Sequence, residues 1–409
     1  MIMIKPNKYV CLFIAISFIF IFPSYSKANK ENWNNILKEA SGQTVYFHAW
    51  GGAKNINSYI NWAAETVKKT YNITVKHVKV SDTSNVVSRI LSEKNAKKNN
   101  NGAVDLVWIN GENFSSMKKN NLLLNENWII QLPNSKFLDF KNNPSLLNDF
   151  GVSTGGMEMP WGVSQLNFYY DSKYIKAPPK SALKLKKYIL TNKGRFTFPQ
   201  PPDFVGTSFL KQILIELIAD KNVLKLKYDQ SHHEKMLKPL FDWLDEVTPH
   251  LWRNGKNYPS NYLALTELVA DREIDIGMAF NIAHASNAIS EGKLSKTVKS
   301  YIHKGGTLAN VHFLSIPYNS SNITSAKVFI NFLISPEAQI KKQNKNFWGD
   351  PSVLSSRKLT PEWKENFLNL PRGTATLSNE ELDLKLEEPH PSWVKVIEDK
   401  WIKKYGSNN

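Results

Sequence analysis

The chain has 409 residues, of which 42% are hydrophobic and 22% charged, and 52 Lys and Arg against 36 Asp and Glu give a formal net charge of +16. This balance excludes a disordered or fibrous protein, and the single cysteine excludes a scaffold held together by disulfides. The length suggests two or three domains, each large enough to bury its own core.

The first predicted element is an export signal, residues 1–28. Two lysines precede an apolar run from Tyr9 to Phe22, and small residues follow up to Ala28. This order is typical of a cleaved secretory signal. The run is shorter than the ~20 residues of a spanning helix, and Cys11 stands at its start, where it could not carry a lipid anchor after cleavage. We therefore expect cleavage near Ala28 and a cysteine-free protein in a bacterial periplasm.

After the signal, strand and helix patterns alternate, which predicts βαβ units and a parallel sheet. The apolar and β-branched runs predict strands at 44–50, 73–80, 104–109, 166–170, 274–280 and 311–317. Helical periodicity is found at 33–40, 56–63, 86–91, 207–219 and 325–334, and a further helix begins at Ser335–Pro336. Residues 124–160 are irregular, and a second α/β stretch begins at 196–198. No repeat of fixed period is present, which excludes solenoids and propellers.

Candidate binding residues follow the predicted strands, because ligands of open α/β sheets bind beyond the carboxyl ends of the strands. Glycine lets a ligand approach the backbone, and Asn and Glu supply directed hydrogen bonds. The candidates at these ends are Trp50, Gly51, Gly52, Asn110, Gly111, Glu112, Asn113, Asn281 and His284. In the alternative interpretation the glycines only form tight turns, and His284 is an internal polar residue.

A second group of candidates lies at the start of the predicted helix 207–219. Free N–H groups at a helix N-terminus bind anionic groups, although simple capping by Thr207 or Ser208 explains the pattern equally well. The candidates in this group are Asp203, Phe204, Gly206 and Thr207.

Tryptophan side chains usually either fill a core or stack on a ligand. Trp161 and Trp348 are therefore further candidates, together with Asp350, which lies two residues after Trp348. Core packing is the default interpretation of any single aromatic residue. Combined with Trp50, Glu112 and Asp203, this set favours a cationic or heteroaromatic solute.

Catalytic and metal-binding alternatives fit the sequence less well. Residues 151–155 match the G-x-S-x-G of a serine hydrolase around Ser153, but the residues up to Pro160 cannot begin the helix that such a nucleophile requires. Tyr169 and Tyr170 are a candidate pair for ferric ion, yet neighbouring residues of a strand point to opposite faces. We assign no catalytic residue, no cofactor and no metal ligand. The exported serine hydrolase and the ferric-ion-binding protein remain alternatives.

The lysines form only small clusters, without the concentrated basic stripe of a nucleic-acid-binding protein, so no nucleic-acid partner is expected. We interpret the excess positive charge as a solvated surface. Binding of polyanions to this surface is an alternative that predicts strong sensitivity to salt.

Residues 31–409 resemble the YnjB-type family of periplasmic solute-binding components of ABC transporters. The resemblance is carried by seven blocks in the same order: AWGG at 49–52, DLVWINGENF at 105–114, PWG at 160–162, PPDFVGTSFL at 201–210, PHLWRNG at 249–255, WGDPSVL at 348–354 and PHPSWV at 389–394. It implies a two-lobed α/β fold of the periplasmic-binding-protein type II class, with a hinge between the lobes. It further implies delivery of a small molecule to a membrane permease with its ATPase, and leaves the solute undefined.

On this basis we expect residues 29–160 to form the first part of lobe 1 and residues 161–305 to form lobe 2. Residues 306–409 would return to complete lobe 1 and supply the C-terminal helices. The protein is expected to act as a monomer.

Overall fold

The computed structural model describes residues 33–124 and 127–406, so the predicted export signal, residues 1–28, lies outside the described residues. Within these ranges the helices α1 to α15 are Trp33–Ala40, Lys54–Tyr71, Thr83–Asn95, Gly111–Lys119, Ala182–Thr191, Phe204–Leu217, Gln230–His233, Lys238–Val247, Tyr262–Ala270, His284–Ser290, Ile323–Leu333, Pro336–Gln343, Pro361–Leu368, Asn379–Leu382 and Ser392–Tyr405. The strands β1 to β11 are Thr44–Trp50, Thr74–Val80, Leu106–Ile109, Asn148–Asp149, Val152–Ser153, Glu158–Gln165, Asn167–Asp171, Ile276–Ala279, Val298–Tyr301, Thr307–Ser315 and Lys385–Leu386.

The first lobe is built on a mixed sheet in the order β11-β10-β3-β1-β2, with β6 also paired to β10. Strands β1, β2 and β3 are parallel, and β10 runs antiparallel to β3. Helix α2 packs through a stripe of residues spaced three and four apart, from Ile56 to Val67. It ends at Asn72, whose left-handed backbone lets its N–H bond the Lys68 carbonyl.

The second lobe has a smaller antiparallel sheet in the order β8-β7-β9. Helix α6 lies at its centre, and every residue from Val205 to Ile215 is buried. The sequence of α6 is apolar on most faces, which is typical of a helix enclosed by other elements. Its burial therefore follows directly from its sequence.

Two antiparallel strands, β6 and β10, run from one lobe into the other. Met159 and Trp161 of β6 pack in the first hydrophobic core, whereas Leu166, directly after β6, packs in the second. In β10 the direction is reversed, since Leu308 belongs to the second core and Phe313 to the first. These two strands form the connection between the lobes, the place at which a hinge is expected.

The C-terminal part of the chain contributes to both lobes. The first core includes residues up to Val353, and helix α15 packs in the second core through Trp393, Ile397 and Trp401. The C-terminal helices predicted for 306–409 therefore include one that belongs to the second lobe. The lobe boundaries given above stay predictions.

The predicted strands at 44–50, 73–80, 104–109, 166–170, 274–280 and 311–317 all overlap strands of the structure. Residues 196–198 form no strand, although all three are buried. Helix α12 begins as its sequence indicates, with Ser335 accepting from the Ala338 N–H and Pro336 in the first turn. No described helix is both long enough and apolar enough to cross a membrane.

Candidate functional site

The carboxyl ends of the first-lobe strands face the second lobe. Strand β1 ends at Trp50, and the Trp50 ring lies 5.9 Å from the ring of Tyr262, the first residue of α9 in the second lobe. Strand β3 leads directly into α4, which places Glu112 in the first turn of that helix. A carboxylate there is favoured by the helix dipole. This space between the lobes is called the cleft below.

Helix α6 presents one polar face to the cleft. Asp203, Thr207 and Lys211 are spaced by four residues and so share a face. The Asp203 carboxylate caps the helix, accepting from the N–H groups of Val205 at 2.9 Å and Gly206 at 3.0 Å. The two candidates Asp203 and Thr207 are thereby brought together with a lysine.

Two carboxylates from the C-terminal segment meet this face of α6. The Thr207 hydroxyl donates to Glu398 of α15 at 2.6 Å. The Lys211 ammonium donates to Glu388 at 2.6 Å, and both side chains are 2% exposed. Asn310 of β10 donates to the other Glu388 oxygen at 3.0 Å. Lys211 and Glu388 thus form a buried pair with hydrogen bonds on both carboxylate oxygens, which offsets the cost of desolvating the two charges.

Lys211 also contacts the first lobe. Its ammonium lies 4.7 Å from the ring centroid of Phe150, and it lies 5.9 Å from the ring centroid of Phe204 on its own helix. Phe150 lies against Gly111, where an added Cβ would stand 2.7 Å from the Phe150 ring and where φ is +61°. Gly111 therefore serves the packing of Phe150, and its N–H donates to Asp149 at 2.7 Å.

Four further carboxyl groups share the cleft: Asp82, Glu112, Asp203 and Glu398. Burial raises the pKa of Asp203 to about 6, and the negative charge of Asp82 adds to this shift. Burial raises the pKa of Glu398 to about 7, with further contributions from Glu112 and Asp82. The pKa of Glu112 is raised by burial and by Glu388 and Asp82, while Lys211 opposes the shift. The negative charge of Asp82 contributes to the pKa shift of all three other carboxyls, so Asp82 lies within electrostatic range of each.

Aromatic rings border the same space. Phe204 is 38% exposed and lies edge-on to Phe280, with ring centroids 4.9 Å apart. Trp50 and Tyr262 form the second aromatic pair. Carboxylates flanked by aromatic faces attract positively charged groups, because both the carboxylate charge and the ring quadrupole favour a cation.

Close packing explains why residues 51, 52 and 206 are glycine. An added Cβ on Gly52 would stand 2.2 Å from the Trp50 ring, and one on Gly51 would stand 2.5 Å from Cβ of Lys79. At Gly206 it would stand 2.1 Å from the Pro199 carbonyl oxygen. These glycines allow close packing beside the cleft, and direct contact with a solute stays a prediction for them.

Three of the other strand-end candidates, Asn113, Asn281 and His284, have internal partners. The side-chain amide oxygen of Asn281 accepts from the Ala283 N–H at 2.9 Å, and the Asn113 side-chain amide donates to Glu112 at 3.2 Å. Asn110 precedes α4 without a side-chain capping bond. His284 is hydrogen-bonded to Thr266 at 2.8 Å, and burial lowers its pKa to about 4, so the imidazole is neutral at pH 7. Its placement agrees with the internal interpretation.

Trp161, Trp348 and Asp350 lie behind the cleft, in the interior. Trp161 is 0% and Trp348 2% exposed, and their ring centroids are 5.3 Å apart. Asp350 is paired with Lys342 and with His312, the latter at 3.1 Å. Burial alone would raise the pKa of Asp350, but the charges of Lys342 and His312 hold it below the ordinary value. This packing supports the core interpretation of both tryptophans over stacking on a solute.

The structure brings seven residues to the cleft that were not candidates from the sequence: Asp82, Phe150, Lys211, Tyr262, Phe280, Glu388 and Glu398. Asp82 lies two residues after the end of strand β2, so the strand-end rule could have found it. Lys211 stands out as a charged residue in an apolar helix. Glu388 and Glu398 are distant in sequence from α6, and no local pattern marks them.

The catalytic and ferric alternatives do not acquire the geometry they need. Ser153 lies in a two-residue hairpin strand paired to β4, and the next regular element is the strand β6 rather than a helix. The Tyr169 hydroxyl is hydrogen-bonded to Thr266 at 2.8 Å, whereas Tyr170 packs on Tyr301, so the two phenols diverge. No cluster of three or more His, Cys, Asp or Glu suited to a metal ion occurs among the described residues.

Comparison with known proteins identifies the class. The chain belongs to the family of bacterial extracellular solute-binding proteins, whose family model matches residues 62–370. It is 38% identical over 377 residues to Protein YnjB of Escherichia coli (strain K12), a match that covers 92% of this chain and 95% of that protein. A second relative, the putrescine-binding periplasmic protein SpuD of Pseudomonas aeruginosa (strain UCBPP-PA14), is 27% identical over 211 residues, which cover 51% of this chain and 55% of that protein.

Solved structures share the fold at low sequence identity. The Tp0655 (TpPotD) lipoprotein of Treponema pallidum has a TM-score of 0.64 and 14% identity over 87% of this chain and 97% of that one. The periplasmic binding protein AfuA of Actinobacillus pleuropneumoniae has a TM-score of 0.62 and 15% identity over 89% of this chain and 99% of that one.

These matches confirm the two-lobed α/β fold and the resemblance to the YnjB-type family. The family match also confirms the predicted role of a solute-binding protein. Neither the serine hydrolase nor the ferric-ion-binding protein finds support among them.

Proposed function

We propose that the solute carried by this protein is an organic cation. The observation that supports this most is the convergence of Asp82, Glu112, Asp203 and Glu398 on the cleft, none of which is ion-paired among residues 33–124 and 127–406. Lys211, the lysine on the cleft face of α6, is already paired to Glu388. The cleft therefore holds more negative than positive charge, although the chain as a whole is basic.

The aromatic rings support the same solute class. The pairs Trp50–Tyr262 and Phe204–Phe280 offer ring faces beside the carboxylates. An ammonium group would donate hydrogen bonds to Glu112, Asp203 or Glu398 and contact a ring with its carbon-bound hydrogens. The partial likeness to a putrescine-binding protein agrees with a cationic solute.

The distribution of charge over the two lobes suggests how binding drives closure. Asp82 and Glu112 belong to the first lobe, and Asp203 and Glu398 belong to the second. Without a cation these groups repel one another as the lobes approach, whereas a cation between them is attracted to both lobes. The solute thus favours the closed form, which is the form expected to dock on the permease.

Export and assembly are part of the same proposal. We infer cleavage near Ala28, residence in the periplasm, action as a monomer without catalytic activity, and contact with a permease that works with an ATPase. N-terminal sequencing of the exported protein would test the cleavage site.

The solute class is tested by titration calorimetry on exported protein that has been unfolded and refolded to remove any bound solute. The panel contains putrescine, spermidine, thiamine and choline as cations, with a neutral sugar and a dicarboxylate as comparisons. We expect binding of one or more cations only. Glu112→Gln and Asp203→Asn should each weaken binding about tenfold or more, since hydrogen bonds to charged groups contribute about 1.5–3 kcal/mol.

The matched control is Glu65→Gln, which removes one negative charge from an exposed position on α2. It should leave the affinity within about twofold, because exposed charges contribute little. Binding of the sugar or the dicarboxylate alone, or equal losses in Glu65→Gln and Glu112→Gln, would refute the cationic solute.

A further inference from the structure

A groove on the second lobe is bordered by lysines and lies apart from the cleft. Its volume is about 560 Å³, and it is lined by Lys176, Lys180, Lys184, Lys299 and Lys304. The lining also contains one carboxylate, Glu381, which accepts from the Ser378 N–H at 2.9 Å. This lysine groove shares no residue with the cleft.

The fold holds these lysines around one space. Strand β9 is the edge of its sheet, and Lys299 and Tyr301 lie on the same face because a single residue separates them. The Lys304 N–H donates to the Lys180 carbonyl at 3.0 Å, which joins the two loops that carry these side chains. Lys184 lies in the first turn of α5, three residues after the N-cap residue Ser181.

The base of the lysine groove contains unpaired polar atoms. Tyr301 is 2% exposed, and its hydroxyl has no hydrogen-bond partner among the described residues. Ser300, which also lines the groove, has a buried hydroxyl without a partner in the same part of the chain, but its side chain points to the face of β9 opposite that of Tyr301. A buried hydroxyl without a partner is costly, so its presence in a groove points to a ligand that supplies one.

The positive charges of the five lysines that line the groove also lack partners among the described residues. Lys176 donates to the Ser172 carbonyl at 3.0 Å, and none of the five lysines has an ion pair within the described ranges. Five ammonium groups around one space repel one another, and an anion with several acceptor oxygens would remove that repulsion. A phosphate group offers about two negative charges and three strong acceptors, which suits the lysines and the Tyr301 hydroxyl.

We propose that the lysine groove binds a phosphate group, carried either by a free phosphate compound or by a phospholipid head group. Its volume is within the range of small-molecule sites, which is about 300–1,000 Å³. The site is independent of the solute cleft and of the solute class. In an exported protein that works beside a membrane, a head group would orient the second lobe toward that surface.

The experiment measures binding of inorganic pyrophosphate by titration calorimetry and co-sedimentation with phosphatidylglycerol vesicles, with phosphatidylcholine vesicles as the neutral comparison. Both use the exported protein in about 150 mM salt, where long-range surface attraction is largely screened. The test variant is Lys180→Gln/Lys299→Gln/Lys304→Gln. The matched control is Lys69→Gln/Lys119→Gln/Lys141→Gln, which changes the net charge equally at exposed positions of the first lobe.

We expect the groove variant to lose about tenfold or more in affinity for pyrophosphate or for the anionic vesicles, and the control to change less than about twofold. Tyr301→Phe, which removes only the hydroxyl, should weaken the same binding by about threefold. Binding of pyrophosphate alone identifies a free phosphate compound, and binding of vesicles alone identifies a head group. No binding in either arm, or equal losses in the groove variant and the control, overturns the proposal.

Discussion

Lys211 and Phe150 belong to different lobes, and the ammonium of Lys211 lies 4.7 Å from the ring centroid of Phe150. The positively charged Lys211 thus lies against an aromatic ring of the opposite lobe, in the cleft where we expect the cationic solute to bind. Since Glu388 neutralises this lysine, the contact joins the lobes without cancelling the charge of the other cleft carboxylates.

The first prediction concerns this buried pair. Lys211→Met should lower the free energy of unfolding by about 3–5 kcal/mol, because it leaves the Glu388 carboxylate buried without its counter-ion. The double variant Lys211→Met/Glu388→Met should recover most of the loss, since an apolar pair needs no counter-ion. Urea unfolding of both variants measures this. A single variant as stable as the wild type would show that Glu388 does not depend on Lys211.

The second prediction is the pH dependence of cation binding. Burial raises the pKa of Asp203 to about 6 and that of Glu398 to about 7, so protons compete with the solute below these values. A bound cation favours the ionised forms, lowers both pKa values and releases protons. Affinity should therefore increase as the pH rises from about 5 to about 8, and level off above that.

Titration calorimetry at pH 6.5 in two buffers with different protonation enthalpies would count the released protons. Glu398→Gln should reduce that number and flatten the upper part of the profile. An affinity that is constant or falls over this range would contradict the assigned role of these two carboxylates.

The third prediction separates the two roles of Asp203, capping α6 and facing the cleft. Asp203→Ser retains a side-chain oxygen for the Val205 and Gly206 N–H groups but removes the charge, so stability should change by less than about 0.5 kcal/mol while cation affinity falls. Asp203→Ala removes both functions and should lower the free energy of unfolding by about 1 kcal/mol as well. Thermal unfolding and calorimetry on the pair test this. If the cation affinity of Asp203→Ser is unchanged, Asp203 caps α6 and does not contribute to binding of the solute.

The fourth prediction distinguishes the interior tryptophans from those of the cleft. Trp348→Ala should lower the free energy of unfolding by about 3–5 kcal/mol, as is usual for large buried aromatic residues, with affinity changed by only a few-fold. Trp50→Ala, at the cleft, should show the reverse pattern, a strong loss of affinity with a smaller loss of stability. If instead Trp348→Ala abolishes binding and leaves stability intact, Trp348 contacts the solute.

The fold could be predicted from the sequence because its signals are local. The β-branched run that ends at Trp50, the apolar helix beginning near Asp203 and the Ser335–Pro336 cap each specify their own element through neighbouring residues. Residues 196–198 have the same composition as a strand but find no partner strand, since strand formation depends on distant pairing.

The candidate site was only partly predictable for the same reason. The strand-end rule leads to Trp50 and Glu112, but residue type alone cannot tell a tryptophan in the core, such as Trp161, from one that lines a cleft. Glu398 reaches the site because α15 returns to the second lobe and places it beside Thr207. Contacts between segments so far apart in the chain leave no periodic pattern in the sequence.

Strand β10 has a further consequence for how the molecule moves. It pairs with β11 near Leu308 and with β3 near Phe313, and its pairing with β6 is irregular between His312 and Phe313. Because one continuous backbone supplies side chains to both cores, neither half of the chain has a complete core when cut from the other. Separating the lobes as independent fragments would expose unsatisfied strand edges in each, so we expect the two halves to fold as a single cooperative unit.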